Sequence, residues 1–227
     1  MAILTATLIA LFGGILPTLI WLFFWLSEDR HEPEPKRIIF YTFLAGMIMV
    51  IPVLIAERLS AQYTTGLGLF ITWAVIEELA KFCAAYFVAL RTRFFDEPLD
   101  AVIYMITAAL GFSALENALF LWTPLYQQNM FYSFATGELR FIGATPLHTL
   151  ASAVTGVALA MSFYSRTAVK RFVLLVGVIL SIFLHTLFNF SILKAGSMTL
   201  WVFVCVWLGV IAVLLMVEGV KIPERDR

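Results

Sequence analysis

Seven stretches of the chain are apolar for long enough to cross a bilayer, which takes about 20 residues, roughly 17–25. They cover 3–26, 38–57, 66–90, 101–122, 144–163, 172–193 and 197–218. Polar intervals separate them, and all but 123–143 are short. Within that longer interval "NMFYSFATGELRF" is aromatic and weakly amphipathic, which predicts a helix at the membrane interface. The pattern predicts an all-α fold: a polytopic membrane bundle of about seven transmembrane helices. No internal repeat or low-complexity tract interrupts it, so 1–227 reads as one domain.

Composition points the same way. Hydrophobic residues make up 62% of the chain and charged residues 13%, against about half and a quarter in a soluble domain. The net charge is zero, without the basic face or tail that nucleic acid requires. Cys83 and Cys205 lie in apolar spans and form no C-x-x-C, so they indicate neither a disulfide framework nor a thiolate metal site. The opening "MAILTATLIALFGGILPTLIWLFFW" lacks a basic n-region and is too long for a signal-peptide core, so it reads as an uncleaved span.

Lysine and arginine set the expected orientation. Loops one, three and five and the C-terminal tail hold Arg30, Lys36, Arg37, Arg91, Arg93, Arg166, Lys170, Arg171, Lys221, Arg225 and Arg227. The opposite loops hold Arg58, Arg140 and Lys194. The N-terminus is therefore expected outside and the C-terminus in the cytoplasm. His31, in the charged "SEDRHEPEPKR" loop, reads as solvated.

Away from span ends, six ionisable residues remain inside the apolar segments: Glu77, Glu78 and Lys81 in span three, Glu116 in span four, His148 in span five and His185 in span six. Such groups are costly to desolvate and mark functional sites by default. At about 100° per residue, Glu78 stands about 100° and Lys81 about 40° around the helix from Glu77. Lys81 can thus serve either carboxylate, at i+4 or i+3. Ala74, Ala84 and Ala85 share that sector, while Ile76, Leu79, Phe82, Tyr86 and Leu90 form the expected lipid-facing side.

The other spans each carry one polar stripe. Thr145, His148, Ser152 and Thr155 share a face, as do Ser181, His185 and Asn189. Phe112 and Glu116 are one turn apart, with Asn117 beside Glu116. Counted from the outer span ends, Glu77 lies about 16 Å deep, His185 about 12 Å, Glu116 about 9 Å, and His148 and Asn189 about 6 Å. One shared site in the outer half of the membrane accounts for this coincidence.

Three chemistries suit such a site. In the first, a glutamate acts as general base on water and histidine and asparagine donors stabilise the oxyanion of a peptide bond under attack. In the second, His148, His185 and a glutamate bind zinc, although no H-E-x-x-H pair is present. In the third, the groups conduct protons or ions; the inner half shows no polar ladder and no inverted repeat to support it. Taken singly, the residues have plainer readings. Glu78–Lys81 reads as a buried structural pair, His148 as a helix-packing hydrogen bond, Glu116 with Asn117 as interhelical glue, and Ser152 and Ser181 as packing residues.

The quoted motifs resemble the PrsW family of bacterial intramembrane proteases, within the wider group that holds the type II CAAX prenyl proteases. The resemblance rests on E-E-x-x-K at Glu77, Glu78 and Lys81, F-x-x-x-E-N at Phe112, Glu116 and Asn117, "PLHTLASAVTG" around His148, and H-x-x-x-N at His185 and Asn189. It covers about 70–190. It implies a multi-pass protease of the bacterial cytoplasmic membrane that cleaves single-span membrane proteins, such as anti-sigma factors, near the extracytoplasmic side. No catalytic metal is required, zinc being the alternative. Carried over, Glu77 is the candidate base, Glu78 its partner, and His185 with Asn189 the oxyanion side; Lys81, Asn117 and Phe112 give support. Where the CAAX relatives have F-x-x-x-H this chain has Glu116, which leaves His148 as the candidate for that imidazole.

Overall fold

The computed structural model describes residues 3–29, 32–195 and 198–220. Within them the chain forms eight α-helices and no strand: α1 (Ile3–Leu26), α2 (Lys36–Ser60), α3 (Gly66–Ala85), α4 (Pro98–Tyr126), α5 (Met130–Leu139), α6 (Thr145–Met161), α7 (Thr167–Ala195) and α8 (Thr199–Val220). A π-helical turn, Tyr86–Leu90, extends α3, and another, Arg140–Ala144, joins α5 to α6 without a break. Six units are long and apolar enough to cross a membrane, with Met130–Met161 counting as one. α3, carrying Glu77, Glu78 and Lys81, is the seventh expected span.

Local chemistry moves some boundaries. α4 begins at Pro98 rather than 101 because Glu97 and Asp100 form a reciprocal capping box ahead of the apolar run. The helix expected within 123–143 forms as α5, capped by the Asn129 side chain on Tyr132 N–H at 3.1 Å, and it leads straight into α6. Leu90, expected to face lipid, is buried in the core. The π-turn after Ala85 fits an extra residue into its turn, so each residue rotates less than in an α-helix and an ideal-helix count fails beyond that point. Ile76 also turns partly inward, against Val50, Val53 and Phe112.

Every residue from Pro98 to Ala114 is buried, so α4 is the axis of the bundle, enclosed by α1, α2 and α6. Small residues permit this closeness. A Cβ on Gly46 would overlap the Ala108 carbonyl, and one on Gly111 would overlap that of Phe43, so α2 and α4 cross almost backbone to backbone. Large apolar side chains point outward instead, as at Phe12, Phe23, Leu175, Phe183 and Leu215. Apolar outside with charge inside is the arrangement a hydrocarbon solvent selects.

The α1–α2, α3–α4 and α6–α7 connections share one end of the bundle, with Lys36, Arg37, Arg91, Arg93, Arg166, Lys170 and Arg171. At this basic end the buried Tyr104 hydroxyl donates to Glu34 and to Phe94 O, the latter at 3.0 Å, tying two connections together. Arg30, His31, Lys221, Arg225, Arg227 and the first residue of the span expected at 197–218 lie outside the described residues. The α2–α3, α4–α5 and α7–α8 connections define the opposite end.

Candidate active site

The expected polar stripes converge. α3 brings two consecutive carboxylates into the bundle, and their neighbours treat them differently. Glu78 is saturated: Lys81 Nζ lies 2.5 Å and His185 Nδ1 2.7 Å from Oε1, while the Ser181 and Ser152 hydroxyls donate to Oε2 at 2.8 Å and 3.3 Å. Ser152 and Ser181 are therefore donors to a buried charge and not packing residues alone. The Glu78–Lys81 pair is as close as its structural reading expects.

Glu77 is the opposite case. Its Oε2 is buried without a hydrogen-bond partner. It stands 3.7 Å from Lys81 Nζ, 3.7 Å from His148 Nδ1 and 3.8 Å from His185 Nε2. The two imidazoles meet edge to face, with ring centroids 5.1 Å apart. Phe112 forms the floor beneath them, 5.8 Å from the His148 ring and 5.0 Å from Lys81 Nζ.

Each imidazole is oriented by a carboxylate on its far nitrogen. His185 gives Nδ1 to Glu78 and turns Nε2 toward Glu77. His148 gives Nε2 to Glu116 at 2.9 Å, and its Nδ1 is 2.9 Å from Lys81 Nζ. Glu116 thus holds His148 in place. It is held in turn by Arg140, whose guanidinium pairs with Glu116 Oε2 through Nη2, donates to Asn117 Oδ1 through Nε, and stacks 4.1 Å over Phe120. Asn117 Nδ2 donates to Thr145 at 3.0 Å, bracing α4 against α6. Asn189 lies one turn beyond His185 and lines the cavity.

Two site residues escape the sequence reading. Arg140 counts there as a loop cation, yet the π-turn before α6 swings it inward. Glu57 falls in a span end that was set aside, yet α2 continues to Ser60 and places Glu57 on the cavity wall beside Glu77. A carboxylate three residues short of a helix end, in an otherwise apolar run, is the one signal that marks it.

The cavity holds about 630 Å³. Glu57, Glu77, Glu116, Arg140, His148, His185 and Asn189 occupy its polar side, and most of the rest is leucine and aromatic side chains from α2 to α8. An apolar chamber with a few convergent polar groups is the usual form of a reaction site. It can hold an extended apolar peptide segment with its carbonyl against water, an open carboxylate and an imidazole.

Comparison with known proteins supplies a family. The family model described as "PrsW family intramembrane metalloprotease" matches residues 34–216. Protease PrsW of Geobacillus kaustophilus (strain HTA426) is 26% identical over 185 residues, 80% of this chain and 78% of the relative. That of Clostridioides difficile (strain 630) is 25% identical over 188 residues, covering 79% and 77%. That of Oceanobacillus iheyensis is 27% identical over 192 residues, covering 83% and 85%. No solved structure matches.

The family description implies a metal, and the donors fit one. Glu77, His148 and His185 each offer a ligand atom, all within 4.8 Å of one another. The unpartnered Glu77 oxygen and two carboxylate-backed imidazoles are a donor set suited to a zinc-type cation. Lys81 Nζ, beside His148 Nδ1, is the cation such an ion would compete with.

Proposed function

Because the chain belongs to the PrsW family of intramembrane metalloproteases, a multi-pass membrane protease, we propose that it hydrolyses peptide bonds of membrane-anchored proteins with water activated at Glu77. The observation that carries this reading is the Glu77 carboxylate: buried, with Oε2 free of any hydrogen-bond partner, and facing two imidazoles and a chamber large enough for an extended peptide. Glu77 takes a proton as the water oxygen adds to the scissile carbonyl, and returns it to the amide nitrogen as the C–N bond breaks. Asn189, one turn beyond His185, offers an amide donor to the oxyanion, and His185 Nε2 would join it in the doubly protonated ring, whose other N–H is held by Glu78. Glu78 fixes His185, while Glu116 with Arg140 fixes His148.

A metal-dependent version is favoured by the same orphaned oxygen. Glu77, His148 and His185 would hold the ion, which supplies Lewis-acid polarisation of water and carbonyl when bound. The versions separate by chelation. Activity unchanged by chelator and lost in Glu77→Gln assigns Glu77 as base. Activity lost to chelator and restored by zinc assigns it as ligand.

The proposed substrates are single-span proteins of the bacterial cytoplasmic membrane, anti-sigma factors among them. The lysine and arginine bias supports a cytoplasmic basic end, with the site toward the extracytoplasmic side. Co-expression of wild type or Glu77→Gln with tagged single-span membrane proteins tests this. A cleavage product in the first that is absent from the second supports it, and identical products in both overturn it.

A further inference from the structure

A chain embedded in lipid reaches a buried site only by passing between helices, and two gaps border the cavity. One lies between α7 and α8, where an apolar groove shares Leu147 and Phe188 with the cavity wall. The other lies between the far halves of α2 and α4, where Leu54 and Glu57 face Leu119 and Phe120.

The two gaps differ mechanically. α7 and α8 are consecutive in the chain, and the end of α7 at Ala195 and the start of α8 at Thr199 both lie at the site's own end of the bundle. A membrane-anchored chain continues beyond its scissile bond on both sides, so a slot bridged at that end cannot admit it sideways. Phe188 and Phe203 also stack across this gap, 6.4 Å apart and 16° from parallel. Both rings are buried.

α2 and α4 run parallel. Glu34, beside the start of α2, meets Tyr104 of α4, and Glu57 and Glu116, further along each helix, share the cavity wall. Their closest approach is at Gly46 and Gly111. Val50, Val53 and Phe112 then fill the wedge as the helices diverge. Beyond it stand Leu54, Leu119 and Phe120, 44%, 42% and 52% exposed. No covalent connection joins α2 to α4 at that end, since α2 continues into α3 and α4 into α5. The result is a V with a glycine apex, an apolar rim and the catalytic groups at its floor.

We infer that the cleft between the outer halves of α2 and α4 is the lateral portal through which a membrane-anchored substrate reaches Glu77. The inference rests on the protease reading for its occupant: an unwound apolar segment of a single-span protein, whose side chains lie on Leu54, Leu119 and Phe120. Glu57, whose carboxyl is hydrogen-bonded to Glu77, is passed on the way in.

Photo-cross-linking tests the portal without requiring cleavage. Benzoylphenylalanine is placed singly at Leu54, Leu119, Leu187 or Trp201 in Glu77→Gln protein reconstituted in liposomes. The probe is a synthetic single-span leucine–alanine peptide with a Gly-Pro pair near one end. Adducts from Leu54 and Leu119 are expected to exceed those from the α7–α8 positions Leu187 and Trp201 on the order of tenfold, the ratio expected if the α7–α8 gap is open less than a tenth as often. Adducts of equal or greater yield from Leu187 and Trp201 overturn the portal, as does their absence from both Leu54 and Leu119. Adducts at Leu54 and Leu119 without any cleavage by wild type would fail the protease reading and leave the portal standing.

Discussion

Glu78 Oε1 lies 2.7 Å from His185 Nδ1, and this contact separates the roles of two carboxylates that are neighbours in sequence. Glu78 is spent on holding partners, which leaves Glu77 free to act. Replacing Glu78 with glutamine strips the buried Lys81 ammonium of its close counter-ion. Breaking a buried pair in this way costs about 3–5 kcal/mol. Glu78→Gln is expected to lower the melting temperature in detergent together with activity. Glu77→Gln removes a buried charge whose Oε2 no hydrogen bond satisfies, so its melting temperature is expected to match or exceed wild type.

In the proposed mechanism Arg140 acts through Glu116 and His148, which it reaches by its pairing with Glu116. Loss of a partner that orients a working histidine typically costs about 10–100-fold, and Arg140→Gln is expected to fall in that range. Arg140→Lys recovers only part, because an ammonium cannot reproduce the two-pronged grip on Glu116 and Asn117 or the stack on Phe120. Cleavage rates of the two variants, with the pH profile of each, check this. A purely structural role would lower both equally and leave the profile unmoved.

The sequence made the site legible because charge inside an apolar run has few explanations. Glu77, Glu78, Lys81, Glu116, His148 and His185 stand out by type alone, and helical phase brings them to one side. The same phase argument fails at Leu90 and undervalues Arg140, for one reason. Each belongs to a π-turn, whose extra residue per turn rotates what lies around it, and no pattern in the apolar spacing announces one. Glu57 is hidden differently: a polar residue near the end of a span looks solvated until the helix length is known. The axial place of α4 is also invisible in its hydropathy, since it comes from glycine and alanine letting neighbours close in.

That close packing gives a stability prediction. A Cβ at Gly111 would overlap the backbone of Phe43, and backbone does not yield as a side-chain tip does. Gly111→Ala is expected to destabilise by about 1–3 kcal/mol or more. Gly68→Ala, where a Cβ meets nothing within 4 Å, is expected to be close to neutral. Thermal unfolding of the two variants in one detergent reads the difference.

The basic end carries a pH dependence. Burial, then the hydrogen bond with Asp100, pushes the Glu34 carboxyl up to about 9 from 4.5. Folded protein therefore keeps a proton that the unfolded chain loses near pH 4.5. The stabilisation linked to this group is complete below about 4.5 and fades as pH rises toward 9. The protection factors of the first turn of α2, with the intrinsic pH dependence of exchange divided out, are expected to fall over that window, and Glu34→Gln is expected to flatten the trend. Unchanged protection from pH 5 to 9, on the order of four pH units, would contradict it.

The most direct measurement is cleavage of a membrane-anchored substrate by purified protein in liposomes made up in oxygen-18 water. Wild type is expected to place one heavy oxygen in the new C-terminal carboxylate, while folded Glu77→Gln yields no product. Cleavage by Glu77→Gln at the wild-type rate would contradict the assignment of Glu77, and a product without heavy oxygen would contradict hydrolysis itself.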